Sequence, residues 1–242
     1  MDYLNQLDDR FTSLEMTGGA HAERLPELKR VYEQLFPQYA ATPYLWQALT
    51  DLAAAPADVD PKFIHHLWLL YLQEQVIGMA HFCYAVQRRV GMGIYLAILP
   101  EFRKQPVGPY TRVAEAINAL THVALADDAQ RLGHEPPEGL FAEVDLEKLT
   151  RQYQKYGFVV LPVAYQEPRL PEGLQTFPGP QVYQFHPLSL GFFPRPPRSV
   201  EELPSAQRIR QAVLAFLVDF YGLPEDHATV QISLQSISLL EK

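Results

Sequence analysis

Apolar positions along the chain recur with two periods, and the switches between them predict the elements. Phe11 to Met16 reads as a first strand, after which Gly18 and Gly19 break the pattern. Leu25, Leu28, Val31, Tyr32 and Leu35 then recur at helical spacing, predicting a helix over Leu25 to Phe36 that Pro37 closes, and a second helix follows from Pro43 to Ala54. Lys62 to Tyr71 and Val76 to Ala85 read as two strands around Gln73-Glu74-Gln75, a polar connection of hairpin length, and are expected to be central antiparallel strands of a sheet. Gln87, Arg88 and Arg89 form a polar turn whose arginines are expected to be solvated.

The middle of the chain carries the clearest unit. An apolar run from Ile94 to Leu99 reaches Pro100, a basic loop with Gly and Pro follows, and an amphipathic pattern begins near Pro109. Its stripe is Val113, Ala116, Ile117, Leu120, Val123 and Ala124, with Arg112 and Glu115 toward the other side, which suits a helix lying on a sheet. Arg131 to Gly139 is a loop into a short strand, Leu140 to Val144. A helix follows with Leu146, Leu149, Tyr153 and Tyr156 on one face, and Gly157 ends it.

Beyond Gly157 the pattern is less regular. Phe158 to Val163 reads as a strand broken at Pro162, Gln166 to Pro180 as irregular, and Gln181 to Phe185 as a further strand. Phe192 to Arg198 has the composition of a rigid connector. Ser205 to Tyr221 places Ile209, Val213, Phe216, Leu217 and Phe220 on one helical face, stopped by Gly222 and Pro224, and this face must be covered by its own subunit or by a second copy. Thr229 to Leu240 fits a strand or a helix and is left unassigned.

Composition narrows the classes. A chain of 242 residues, 48% hydrophobic and 12% aromatic, is long enough for one sizeable core with a small extension. The net charge of -8 is the opposite of what nucleic-acid binders need, because neutralising phosphates supplies much of their affinity. Cys83 is the single cysteine, which excludes an internal disulfide and a cysteine-based zinc site. His65 and His66 are neighbours on a strand and so face opposite ways, and no metal site is counted. No apolar run approaches the roughly 20 residues of a membrane helix, and the acidic start MDYLNQLDDR lacks the apolar segment of a signal peptide, so a cytoplasmic protein is expected.

The candidate chemistry begins with the strand, loop and helix of the middle. The first turn of a helix leaves backbone N–H groups without intrahelical partners, and the positive end of the macrodipole favours an anion there. Arg103, Lys104 and Arg112 add positive charge around that loop. Together, LPEFRKQPVG (99 to 108) and the later YQKYGF (153 to 158) resemble the GCN5-related N-acetyltransferase (GNAT) superfamily. In that family a strand ending in a V-x-P-like step, here Ile98 and Pro100, leads to an R/Q-x-x-G-x-G/A loop that holds the pyrophosphate of acetyl-CoA. A later helix carries a tyrosine four residues before a Gly-Phe pair, here Tyr153 before Gly157 and Phe158.

The resemblance covers about Phe11 to Phe185. It implies a GNAT-like α/β fold, a mixed twisted β-sheet with helices on both faces, over a domain of residues 1–198. Residues 199–242 are then a C-terminal extension packing on the domain or on a second subunit. It implies acetyl-CoA as acyl donor, with Ile98, Leu99, Arg103, Lys104, Gln105, Val107, Gly108, Tyr110 and Arg112 around it. A strand-end N–H near Ile98 or Leu99 would polarise the thioester carbonyl, and Tyr153 would protonate the departing thiolate. The helical pair near the N-terminus would lie beside the acceptor site, with Tyr32, Phe36, Tyr39, Tyr44 and Trp46 as lining candidates against an ordinary role in packing.

Acylation of an amine needs a base, since an alkyl amine is mostly protonated at neutral pH. Glu143, and after it Asp145, are the carboxylates offered by the strand 140–144 and its end. The expected acceptor is a small-molecule or peptide amine, with no nucleic acid or membrane as partner and a homodimer as one arrangement of the C-terminal helix. One departure bears on the donor: Pro106 stands at the first glycine of the R-x-x-G-x-G frame and has no N–H, while Tyr110 fills the small position of the Q-x-x-G-x-A frame. Acyl-CoA is then held differently or not at all. The alternative functions are a GNAT-fold binding or regulatory module without turnover, and an interaction protein that docks through its C-terminal helix.

Overall fold

A computed structural model describes residues 9–55, 60–144, 147–155, 157–196 and 203–238; of 147–149 and 152 only the backbone is described. Asp145, Leu146 and Tyr156 lie outside the described residues. By contacts the chain forms two compact units, one built from 1–83, 94–124 and 172–177, the other from 84–93, 125–171 and 178–242.

The first unit begins with β1 (Phe11–Glu15), α1 (Leu25–Leu35), the short α2 (Pro37–Ala40) and α3 (Pro43–Ala54). Proline opens each of α2 and α3, where a missing N–H costs nothing because the first turn has no intrahelical acceptor for it. β2 (Phe63–Leu72) pairs antiparallel with β1, Leu14 opposite Leu69, and turns into β3 (Gln75–Ala85). The turn is Gln73 and Glu74, both at positive φ (51° and 64°). That is the backbone a two-residue hairpin needs to match strand twist. Leu67, Leu69 and Met79 meet Leu28, Val31 and Tyr32 of α1 and Leu49 and Ala53 of α3 in one core.

β4 (Val90–Ile98) starts four residues before the expected Ile94, and α4 (Val113–Arg131) four after the expected Pro109. The predicted stripe of α4 is buried through Leu120, but Val123 and Ala124 are half-buried, and Thr121, His122, Leu125, Asp128 and Ala129 take over the buried side. At helical spacing Thr121, Leu125 and Asp128 continue the side of Val113, Ile117 and Leu120, and Val123 lies off it.

In the second unit, β4 pairs in parallel with β5 (Gly139–Val144) over Gly91 to Gly93 against Leu140 to Ala142. α5 (Glu147–Gln154) and the two-residue β6 (Val159–Val160) follow. β8 (Gln184–Pro194) pairs antiparallel with β5, with β6, and nearer its start with β7 (Tyr165–Arg169), giving the strand order β4-β5-β8-β6. Only β4 with β5 is described as parallel. Phe158 of the YQKYGF stretch lies over Gly191 of β8; a Cβ at Gly191 would come within 2.0 Å of its ring.

Several expectations fail here for identifiable reasons. Gln166 to Pro180 is not irregular at its start: β7 is an edge strand, where Pro168 is tolerated because a missing donor is not missed. Phe192 to Pro194 is the end of β8 and not a connector, and Gln181 belongs to a 3-10 turn that precedes that strand. The stretch left unassigned forms α7 (Ala228–Ser238). α6 (Ala206–Leu214), capped by Ser205, widens into π geometry over Ala215–Phe220, and Ile209, Val213, Phe216 and Leu217 are buried within the chain. α7 is tied to the segment before β7, Ser233 Oγ donating to the Ala164 carbonyl at 2.8 Å and the Ala164 N–H to Ser236 Oγ at 3.0 Å.

Candidate active site

The second unit assembles its polar cluster around Glu143 on β5. Glu143 is half-buried; the Tyr165 hydroxyl donates to its Oε1 at 2.5 Å and the Tyr221 hydroxyl to its Oε2 at 2.7 Å. β7 brings Tyr165, Glu167 and Arg169 to one side by its period of two, and Arg169 Nε sits 2.5 Å from Glu167 Oε2. Tyr221 comes from the end of the π segment, its ring edge-on to Tyr183 at 5.9 Å. Burial, and then the negative charge of Glu167, push the Glu143 carboxyl up to about 8, against the two hydroxyls and Arg169, which favour the charged form. Burial and the same carboxylate hold Tyr165 and Tyr221 well above the usual phenol range. A carboxyl with that proton affinity changes charge near neutral pH, as a general base requires.

Tyr153 lies on α5, half-buried, with its ring edge-on to Phe158 at 6.0 Å and to Phe193 at 5.9 Å. Its ring is part of the packing on β8. Arg88, expected to be solvated, is instead clamped by Asp219, with Nε at 2.6 Å and NH2 at 3.2 Å from the two carboxylate oxygens, which ties the turn after β3 to the π segment.

In the first unit the loop between β4 and α4 closes on itself. Arg103 Nε donates to the Ile98 carbonyl at 2.8 Å, and the Leu99 N–H donates to the Ile77 carbonyl at 2.7 Å. Thus the Leu99 N–H, expected to polarise a thioester, has a partner in β3. The Gln105 N–H goes to Phe102, and Val107 and Tyr110 exchange both of theirs, at 3.0 and 2.9 Å, around Gly108 at φ +53°. The Thr111 N–H and hydroxyl both donate to the Glu115 carboxylate, each at 2.9 Å to Oε2. Pro106 and Pro109 carry no N–H. Of positions 105–111 this leaves Gly108 outside the pairing. Val107 is buried, while Lys104, Gln105 and Gly108 are exposed and Tyr110 and Arg112 half-buried. The loop therefore does not fit the pyrophosphate of acyl-CoA as a backbone cradle.

The sheet of the same unit carries polar pairs that spacing did not reveal. His65 Nδ1 lies 3.2 Å from His81 Nε2, and Asp60 Oδ2 3.7 Å from His65 Nε2. Burial holds both histidines below their ordinary value, His81 well below. His66, on the opposite face as expected, reaches Glu15 at 2.7 Å, which also accepts from the Trp68 indole and the Leu67 N–H. Burial alone would raise the Glu15 carboxyl, but His66, the Leu67 N–H and the Thr17 hydroxyl together bring it below its usual value. Tyr95 of β4 gathers Phe36, Tyr39 and Tyr32 at 5.0, 5.8 and 5.9 Å, and Tyr32 meets Trp46 at 5.8 Å. Tyr44 stacks instead on Phe177. Among the described residues no group of three or more metal-ligating side chains is found, and no helix is long and apolar enough to cross a membrane.

Strand, loop, helix, parallel strand and helix follow one another from β4 to α5 in the order that the sequence resemblance implies. No family model matches the chain, and no curated protein does. Among solved structures it is similar to a chimera of the Vibrio cholerae spermidine N-acetyltransferase SpeG and hSSAT, at 16% identity and a TM-score of 0.47, over 77% of this chain and 96% of that one. It is also similar to the Salmonella typhimurium acetyltransferase that modifies the N-terminal serine of ribosomal protein L7/L12, at 11% identity and 0.49, over 76% and 94%. A third is Tetrahymena GCN5, at 17% identity and 0.42, over 75% and 96%. At these values the likenesses assign neither a family nor a substrate to this chain.

Proposed function

We propose that the chain is an N-acyltransferase that moves an acetyl or related acyl group from a thioester donor to an amine by direct attack, with no acyl-enzyme. The observation that carries this reading is Glu143, a carboxyl whose proton affinity lies near neutral pH and whose oxygens are fixed by Tyr165 and Tyr221. As its carboxylate it accepts a proton from the ammonium form of the acceptor; the freed nitrogen lone pair then attacks the thioester carbon and the C–S bond breaks. The Tyr153 hydroxyl is the candidate proton source for the departing thiolate. Acetyl-CoA is the proposed donor, by resemblance, and the acidic chain favours a cationic acceptor, whether small amine or peptide. Residues 1–198 are proposed as the acyltransferase domain and 199–242 as its extension, which in this reading supplies Tyr221.

The test is thiol release from acetyl-CoA across a panel of amines, comparing the chain with Glu143→Gln. Acceptor-dependent release that the substitution removes supports the reading, and no release with any amine overturns it. A second reading, a binding or regulatory module without turnover, is favoured by the closed loop of 103–112. Under it, binding of a thioester is seen with no release.

A further inference from the structure

The closed loop after β4 deepens that reading by naming what the donor is recognised by. Phosphate is held at such a loop by N–H groups aimed outward at the anion. Here, of the N–H groups at 105–111, all but that of Gly108 are used or missing: Val107 and Tyr110 bond each other, Gln105 bonds Phe102, and Pro106 and Pro109 have none to give. At the entrance to α4 the Thr111 N–H and hydroxyl are taken by the carboxylate of Glu115, so an anion of the chain's own occupies these donors. Arg103, the cation nearest the strand end, is turned back onto the Ile98 carbonyl. A diphosphate arriving here would meet the Glu115 carboxylate, a like charge, and a loop whose N–H groups at 105–111 are paired or missing except at Gly108.

We infer that this protein, if it is the acyltransferase proposed above, takes its acyl group from a pantetheine thioester without recognising the nucleotide diphosphate on this loop. The donor is read through its thioester and pantetheine arm, and CoA is one carrier of that arm among others. No bond of the loop has to break for such a donor to bind.

The experiment is titration of the full chain with acetyl-CoA and, separately, with S-acetyl-pantetheine, which has the same arm and thioester and no diphosphate, followed by thiol release from each. Affinities within about fivefold of each other are expected. A cradle of two charge-assisted bonds would instead make acetyl-CoA tighter on the order of 100-fold, and a ratio above about tenfold overturns the inference while leaving the acyltransferase reading intact. Binding of neither compound, with no release, overturns that reading and the inference with it. Glu115→Gln sharpens the result. It weakens the internal anion, so acetyl-CoA should gain several-fold in affinity while S-acetyl-pantetheine stays unchanged, and equal response of the two ligands counts against Glu115 as the occupant.

Discussion

The loop at 103–112 and the end of β5 each place polar groups beside a strand, and they dispose of them in opposite ways. In the loop the donors are close in sequence, and with Pro106 and Pro109 fixing the backbone they satisfy one another at short range. At Glu143 the acceptor is enclosed by strand packing and has to be supplied from afar, by Tyr165 of β7 and Tyr221 of the C-terminal segment. Short-range pairing consumes binding capacity, whereas long-range pairing of a desolvated carboxyl leaves it with a charge that is costly and therefore easily exchanged for a proton.

The largest effect expected is on turnover. Removing the base with Glu143→Gln should lower kcat/KM for amine acylation on the order of 100- to 10,000-fold while circular dichroism stays that of the parent. Undiminished activity would leave the Glu143 cluster a structural feature and erase the contrast with the loop.

The same substitution should alter how stability depends on pH. Because the Glu143 carboxyl is raised to about 8 when folded, the folded chain holds a proton that the unfolded chain gives up above its ordinary value of 4.5. Its contribution is therefore fully present below about 4.5 and is lost as pH rises through about 8, with a limiting slope near 1.4 kcal/mol per pH unit. Urea midpoints compared between the parent and Glu143→Gln from pH 5 to 8 should converge or cross as pH rises. Parallel curves would show that the carboxyl is not raised.

A packing test isolates the scaffold behind that site. Gly191→Ala puts a methyl against the Phe158 ring, and with β8 paired to β5 and β6 there is little room to move. A loss of about 1 to 3 kcal/mol is expected from urea unfolding. Tyr221→Phe should cost less, about 1 kcal/mol. It should also move the Glu143 titration upward, because a donor that favours the carboxylate is gone, and an isotope-edited infrared carboxyl band reads that shift directly. On the loop side, Gly108→Ala should cost about 1 kcal/mol through its left-handed φ of +53° and leave the Glu143 titration untouched.

Much of the scaffold was legible because its signals are local. The helix at Pro43–Ala54, the strand to Ala85 and the helix beginning after Ser205 follow from spacing and proline placement. Glu143 was also reachable, as a carboxylate on the strand before the helix of Tyr153. Its partners were not: Tyr165 sits in a proline-containing edge strand that reads as loop, and Tyr221 lies 78 residues away in sequence. A faint signal existed in the alternation Tyr165, Glu167, Arg169, which only a strand would use.

By itself the sequence determined most of the order of strands and helices from β1 to α5, the missing donors at Pro106 and Pro109, and the presence of a carboxylate on β5. These depend on properties that each residue carries wherever it is placed, such as a ring closing on nitrogen or an apolar period. Only the tertiary structure decided that Glu115 would take the Thr111 donors, that Arg88 would pair with Asp219, and that two tyrosines would enclose Glu143. Those outcomes depend on which groups are excluded from water together, and desolvation is a property of the packed chain and not of any stretch of it.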